Sequence, residues 1–142
     1  MEFDYVVVGA GSAGCAVASR LSQCGNYNVA LIEAGPDDNN PWIHVPVGYF
    51  RTMGNPKSDW RYETQPDKGI AGRSIPWPRG RVMGGSSSTN GLLYVRGQPQ
   101  DFDIWSQLGC RGWSWEEVLP FFKRSENWDG VDETGLRGKD GP

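Results

Sequence analysis

Histidine is almost missing from this 142-residue chain: His44 stands alone. A histidine pair for metal ligation or proton relay is therefore excluded within it. No motif surrounds His44 that would make it a base, so it reads as a loop or packing residue. No catalytic residue and no metal ligand is assigned. Cysteine is scarce as well. Cys15, Cys24 and Cys110 show neither pairing nor metal-ligand spacing, and the first two fall within the first predicted helix, where a buried thiol behaves as a small apolar group. No apolar run approaches the length of a membrane span, and the N-terminus lacks the basic, apolar and small-residue succession of a secretory signal. A cytosolic start is the simplest inference, with membrane association of a longer protein left open. An excess of basic residues is also lacking: 14 Lys and Arg face 17 Asp and Glu, for a net charge of -3. That gives no electrostatic case for nucleic acid. There is no internal repeat and no low-complexity segment.

What is present begins at Asp4. An apolar strand, Tyr5 to Val8, runs into Gly9-x-Gly11-x-x-Gly14, and a helical pattern follows at once. A second apolar strand, Val29 to Ile32, ends in Glu33. Strand, glycine turn, helix, strand and terminal acid together form a dinucleotide-binding fingerprint. Gly9 permits the tight turn, Gly11 lets the backbone approach a pyrophosphate, and Gly14 allows close packing of helix on strand. The amides at the helix start and the positive end of its dipole favour phosphate charge. Glu33 stands where a carboxylate can accept hydrogen bonds from both ribose hydroxyls, and it would repel a 2′-phosphate, so NADP is disfavoured. Ala13, Ala16, Val17, Leu21 and Cys24 recur at three- and four-residue steps and give the helix one apolar face. Gly25 and Asn26 supply its stop.

The fold class read from this pattern is α/β: an incomplete Rossmann-like domain, begun by a β-α-β unit and extended by loops and short helices. Only two strands of a parallel sheet are evident, and such a sheet wants helices on both faces. Twenty glycines and ten prolines dilute the remainder. Residues 1–142 therefore read as the opening part of a longer enzyme, with a substrate domain and a catalytic segment elsewhere.

A second glycine-rich loop follows Pro76. Gly84-Gly85 and the run Ser86-Ser87-Ser88-Thr89 offer amides and hydroxyls suited to a phosphate or to the polar edge of a flat ring. The bland alternative is a flexible linker. The apolar flanks argue against it: Trp77, Val82 and Met83 precede the loop, and Leu92, Leu93, Tyr94 and Val95 follow it. Two such loops suggest one ligand longer than a mononucleotide.

The segments Leu31 to Asp37, Asp59 to Pro66, and above all Pro78 to Gly97 (PRGRVMGGSSSTNGLLYVRG) resemble the glucose-methanol-choline (GMC) oxidoreductase family. Asp101 to Trp105, Gly112 to Trp115 and Val118 to Glu126 continue the likeness in order, and bacterial choline-dehydrogenase-like members look nearest. The resemblance implies FAD. Gly9, Gly11, Ser12, Ala13 and Gly14 match its pyrophosphate loop, and Glu33, Ala34 and Gly35 its adenosine-ribose segment. Arg81, Val82, Gly84, Gly85 and Ser86 match the segment passing along the flavin, and Asn90, Gly91 and Leu92 the part approaching the ring. Thr89 stands where some members carry a histidine covalently linked to the flavin, so the resemblance implies non-covalent FAD. The proton-transferring histidine and its His or Asn partner belong near the C-terminus of a far longer chain, and nothing here matches them.

The resemblance implies oxidation of a small-molecule alcohol at its CH-OH group. Three rivals remain at this point: a FAD-containing lyase of the hydroxynitrile type, an NAD-dependent dehydrogenase, and an inert truncated product. The alcohol, the electron acceptor and the oligomeric state are not written in these residues. Arg73, Arg79, Arg81 and Arg96 surround the second loop, where one or two could offset ligand charge; Arg73 reads as solvated. Trp42, Trp60 and Trp77 read either as walls of a ligand site or as buried structural residues. Pro99 to Leu108 reads as a short packed helix, and Ser114-x-x-Glu117 as a capping box opening another, with Pro120 placed to kink it. Alone, the chain is expected to fold poorly and to hold FAD weakly.

Overall fold

The computed structural model describes residues 2–142. The chain divides into two compact units, Met1–Leu93 and Tyr94–Pro142.

The first unit opens with β1 (Tyr5–Val8), α1 (Ser12–Ser22) and β2 (Val29–Ile32). The strands are parallel, with Tyr5 opposite Val29 and Val8 opposite Ile32. A parallel pair needs a crossover, and α1 is that crossover. Its position was legible from the glycines and from the apolar steps along the helix. Its end comes sooner than the apolar spacing suggests: α1 stops at Ser22, and Cys24 lies beyond it in the turn closed by Gly25 at φ +70°. All three cysteines are exposed, which corrects the reading of Cys15 and Cys24 as buried apolar groups.

Beyond β2 the chain makes single 3-10 turns at Pro41–Ile43 and Pro46–Gly48, then a one-turn helix, α2 (Tyr49–Thr52). A two-stranded antiparallel ladder follows from β3 (Tyr62–Glu63) and β4 (Pro76–Trp77). The deepest side chains of this unit are Ala10, Val82 and Thr52, all fully buried. They lie under the loops rather than between sheet and helix. The β-α-β unit itself is thinly covered: Val6 and Val8 are 57% and 81% exposed.

The second unit holds α3 (Pro99–Gln107) and α4 (Trp115–Arg124). Pro99 occupies the first helical position, where its missing N–H removes no helix bond. The Gln98 amide donates to Asp101 Oδ2, and the amide and hydroxyl of Ser114 donate to Glu117 Oε2. Both helix starts are thus held by an acid three residues on. Trp115 N donates to Asp103 Oδ1 and ties the helices together. Between them sits Phe102, buried against Trp105, Trp115 and Phe122 with ring centroids 5.4, 5.6 and 5.6 Å away. α4 runs through Pro120 to Arg124, so the proline removes one backbone bond without ending the helix.

Candidate functional site

The first glycine turn takes the form its spacing predicts. Gly9 has φ +95°, a conformation side-chain-bearing residues rarely adopt, and its amide donates to the Ile32 carbonyl at 2.7 Å. A Cβ on Gly14 would overlap the Gly9 carbonyl, which is the close packing assigned to the third glycine. Gly11 differs. A Cβ there would meet only Gly85 Cα, at an ordinary 3.9 Å, so the chain's own packing does not demand glycine. The start of α1 has no side-chain cap and no acidic residue in its first turn. The amides of Ser12, Ala13 and Gly14 therefore lack intrahelical acceptors, at the positive end of the helix dipole.

The second loop lies against the first. Gly84 N donates to the Ala10 carbonyl at 2.8 Å, and Gly11 and Gly84 form a parallel one-residue bridge. Gly84 and Gly85 have φ +89° and +58°, and a Cβ on Gly85 would stand 2.8 Å from Gly11 Cα. Two glycines at positive φ thus bring backbone onto backbone. The loop after β2 joins them: Met83 N donates to the Pro36 carbonyl, and a Cβ on Gly35 would overlap Arg81 and Val82.

Glu33 links these pieces from the tip of β2. Its Oε2 accepts the Ala10 amide at 2.8 Å and its Oε1 accepts the Gly35 amide at 3.0 Å. The sequence reading gave this carboxylate a ligand alone. In the structure it first holds the glycine turn to the second strand. Each oxygen keeps a further lone pair for an outside donor.

Other expectations need correcting. Two serine hydroxyls of the second loop are spent on its own backbone: Ser87 Oγ and Ser88 Oγ donate to the Gly84 and Met83 carbonyls, while Ser86 Oγ serves as an acceptor for Gly80 N. Short hydroxyl side chains bond their own loop because its carbonyls are nearest. Asn90, Gly91 and Leu92 form a turn, with Asn90 Oδ1 accepting from Leu92 N and Leu92 at φ +61°. The apolar flank beyond them is irregular and open, with Leu93 87% and Val95 84% exposed. Arg96 is engaged in the second unit, paired with Glu126 at 2.7 Å. Arg73 bonds its own turn at the Ile70 carbonyl. Trp42, Trp60 and Trp77 are half exposed and carry Arg51, Arg81 and Arg79 over their rings, so none is a buried structural residue. His44 is a loop residue, its Nε2 2.7 Å from the Asp38 carbonyl.

Sequence reasoning gave no separate role to Asp59, which is 4% exposed. Burial raises its pKa, but the amides of Arg61, Gly54 and Arg79 outweigh this and hold it below the usual value. Only the Asp-Trp-Arg-Tyr segment marked the position, and nothing local shows which amides a lone acid will meet. Nearby, Ser58 Oγ and Arg81 Nε are buried without a hydrogen-bond partner among the described residues. No group of His, Cys, Asp and Glu among the described residues could hold a metal. Among the described residues no helix is long and apolar enough to cross a membrane.

Comparison with known proteins places this geometry. The GMC oxidoreductase family matches residues 3–139. Oxygen-dependent choline dehydrogenase of Photobacterium profundum is 49% identical over 140 residues, covering 99% of this chain and 24% of that protein. Its namesake from Brucella ovis is 51% identical over 142 residues, covering 100% and 26%. Among solved structures, pyridoxine 4-oxidase from Mesorbium loti superposes with a TM-score of 0.84 at 41% identity, covering 99% of this chain and 27% of that one. A formate oxidase variant from Aspergillus oryzae gives 0.82 at 34%, covering 99% and 26%. The chain thus spans roughly a quarter of the length of the relatives it matches. With its glycine turn seated on its serine-lined loop, and with this likeness along almost every residue, the chain belongs to the GMC oxidoreductase family.

Proposed function

We propose that this chain supplies the FAD-binding part of an oxidoreductase that oxidises the CH-OH group of a small-molecule alcohol. The observation that carries the reading is the contact between the two loops. A helix start with free amides and a second glycine loop stand side by side, as one extended dinucleotide requires. A ligand gripped by the first loop alone would leave the second without a reason to be there.

The residues present fit FAD. The amides of Ser12, Ala13 and Gly14 would receive the pyrophosphate, with Gly9 and Gly11 shaping the turn. Glu33, flanked by Ala34 and Gly35, would accept from the ribose hydroxyls. Arg81, Val82, Gly84, Gly85 and Ser86 would run along the flavin, and Asn90, Gly91 and Leu92 would approach its ring system. The hydride-accepting redox centre is what FAD supplies when bound. This chain's share is to bind and orient it. Thr89 cannot form the histidine link to a flavin, so the FAD is held non-covalently. Relatives named for choline and for pyridoxine support an alcohol as donor.

The test is made on the intact protein. Purified protein is expected to carry a flavin absorption spectrum, to release FAD on acid denaturation, and to bleach anaerobically with choline or another small alcohol. Bleaching by no alcohol would count against the oxidation, and tight NAD binding without flavin would end the reading altogether.

A further inference from the structure

Beyond the two glycine loops, three hydrogen bonds converge on the carboxylate of a residue that belongs to neither. Asp59 Oδ2 accepts the Gly54 amide at 2.6 Å, while its Oδ1 accepts the amides of Arg61 at 2.8 Å and Arg79 at 3.0 Å. Those amides come from two segments some twenty residues apart in sequence. The backbone around Asp59 also pairs with the start of the second loop: Trp60 N donates to the Arg79 carbonyl at 2.9 Å, and Arg81 N to the Ser58 carbonyl at 2.8 Å. Arg61 has φ +53°, a conformation that costs free energy for a residue with a Cβ, and the acid holds that turn. Arg81 adds a bond from Nη2 to the Pro56 carbonyl.

From there the connection reaches the ligand loops by short steps. Gly80 N donates to Ser86 Oγ at 3.1 Å, and a Cβ on Gly80 would overlap the Gly85 backbone. Gly85 in turn sits on Gly11. The second loop contains little that could hold it by packing, since Val82 is its one fully buried side chain. Its position therefore depends on backbone hydrogen bonds, and a buried carboxylate accepting three amides is the strongest anchor among them.

We infer that Asp59 is a positioning residue for the flavin: by fixing Arg79 to Arg81 it sets where the second glycine loop lies against the first. The inference rests on the FAD reading above and goes beyond it, because Asp59 is not among the residues assigned to the cofactor. Its carboxylate divides the work: Oδ1 holds the Arg61 and Arg79 amides, which is the link to the second loop, and Oδ2 holds Gly54. Asparagine keeps one, enough for Arg61 and Arg79, and turns an N–H toward the Gly54 amide. Alanine keeps none.

The experiment compares Asp59→Asn, Asp59→Ala and Asp59→Ser in the intact protein. Its readouts are the FAD dissociation constant, the visible circular dichroism of the bound flavin, and hydrogen exchange at the Arg79 amide. Asp59→Ala is expected to weaken FAD by about tenfold or more, alter the flavin dichroism and expose Arg79 to exchange. Asp59→Asn is expected to stay within about threefold of the wild type, with Arg79 still protected. Asp59→Ser stands in for the alanine variant if that does not fold. Unchanged affinity and dichroism in the alanine or serine variant would overturn the inference, as would an asparagine variant as impaired as alanine. Failure of both disrupting variants to fold, beside a folded asparagine variant, would assign Asp59 to the fold alone and overturn it too. A wild type that binds no FAD would instead sink the functional reading.

Discussion

The Gly84 amide donates to the Ala10 carbonyl at 2.8 Å, joining two loops separated by more than seventy residues of chain. Ala10 is fully buried beneath this bond. The two glycine loops are therefore joined backbone to backbone.

Gly85→Ala tests that junction most directly. The new Cβ would stand 2.8 Å from Gly11 Cα at a backbone φ of +58°. A loss of about 1–3 kcal/mol is expected, the left-handed conformation and the overlap both contributing. FAD retention should fall with it. Thermal melting with and without added FAD measures both, and a variant that melts and binds like the wild type would show that the loops do not press together.

Glu33→Gln keeps the shape of the side chain and one acceptor oxygen. One of the Ala10 and Gly35 amides then faces an N–H instead of an oxygen. The expected cost is about 1–2 kcal/mol for the unpaired donor, with weaker FAD binding alongside. Equilibrium urea unfolding and a flavin fluorescence titration read the two effects separately.

Acid should loosen the protein through its depressed carboxylates. Asp59 titrates below its ordinary value, and Asp132 is brought down to about 2, chiefly by the Arg137 amide. Burial opposes the shift in both cases. A carboxyl whose folded pKa is lowered contributes stability that is fully present above its unfolded value, near 3.8. That stability is lost as pH falls through the folded value. The protein is thus expected to hold its Tm from neutrality to about pH 5 and to lose it progressively below pH 4. Flat melting temperatures from pH 5 to pH 2.5 would contradict the assignment.

In the second unit Glu126 accepts from Arg96 at 2.7 Å, from Arg137 at 2.9 Å and from the Gly138 amide at 2.9 Å. Glu126→Ala leaves two guanidinium groups and an amide without their acceptor. A fall in Tm is expected, larger than that from Glu116→Ala on the exposed face of α4. Equal effects of the two substitutions would show the triad to be surface decoration.

Much hydrophobic surface lies bare in the 142-residue chain by itself, Val8 and Leu93 among it at 81% and 87% exposed. So small a buried core cannot offset the entropy of ordering the loops. This stretch alone is expected to melt without a cooperative transition and to retain FAD poorly. A sharp calorimetric peak with yellow flavin bound would refute that.

The first loop was legible because its chemistry is local. Gly9, Gly11 and Gly14 act through their own backbone and through strands and a helix within thirty residues, so spacing alone carries the information. The second loop was legible as a glycine turn but not in the partners its side chains take. Hydroxyls such as Ser87 Oγ serve either a ligand or their own backbone, and only the fold around them decides which. Asp59 escaped altogether, because three amides meeting one carboxylate leave no periodic trace. The apolar residues after Leu92 read as structured from composition alone, yet no strand pairs with them among the described residues.

Local backbone chemistry, then, was fixed by the order of amino acids: a turn that needs glycine, a helix that begins without a cap, an acid at a strand end. These depend on bonds and torsions a few residues long, which hold wherever the segment goes. Tertiary structure alone decided that Gly84 lies on Ala10, that Glu33 bonds the turn, and that Asp59 binds three amides. Such pairings depend on which distant segments come within about 3 Å of each other, a property of the whole fold and of no window of its sequence.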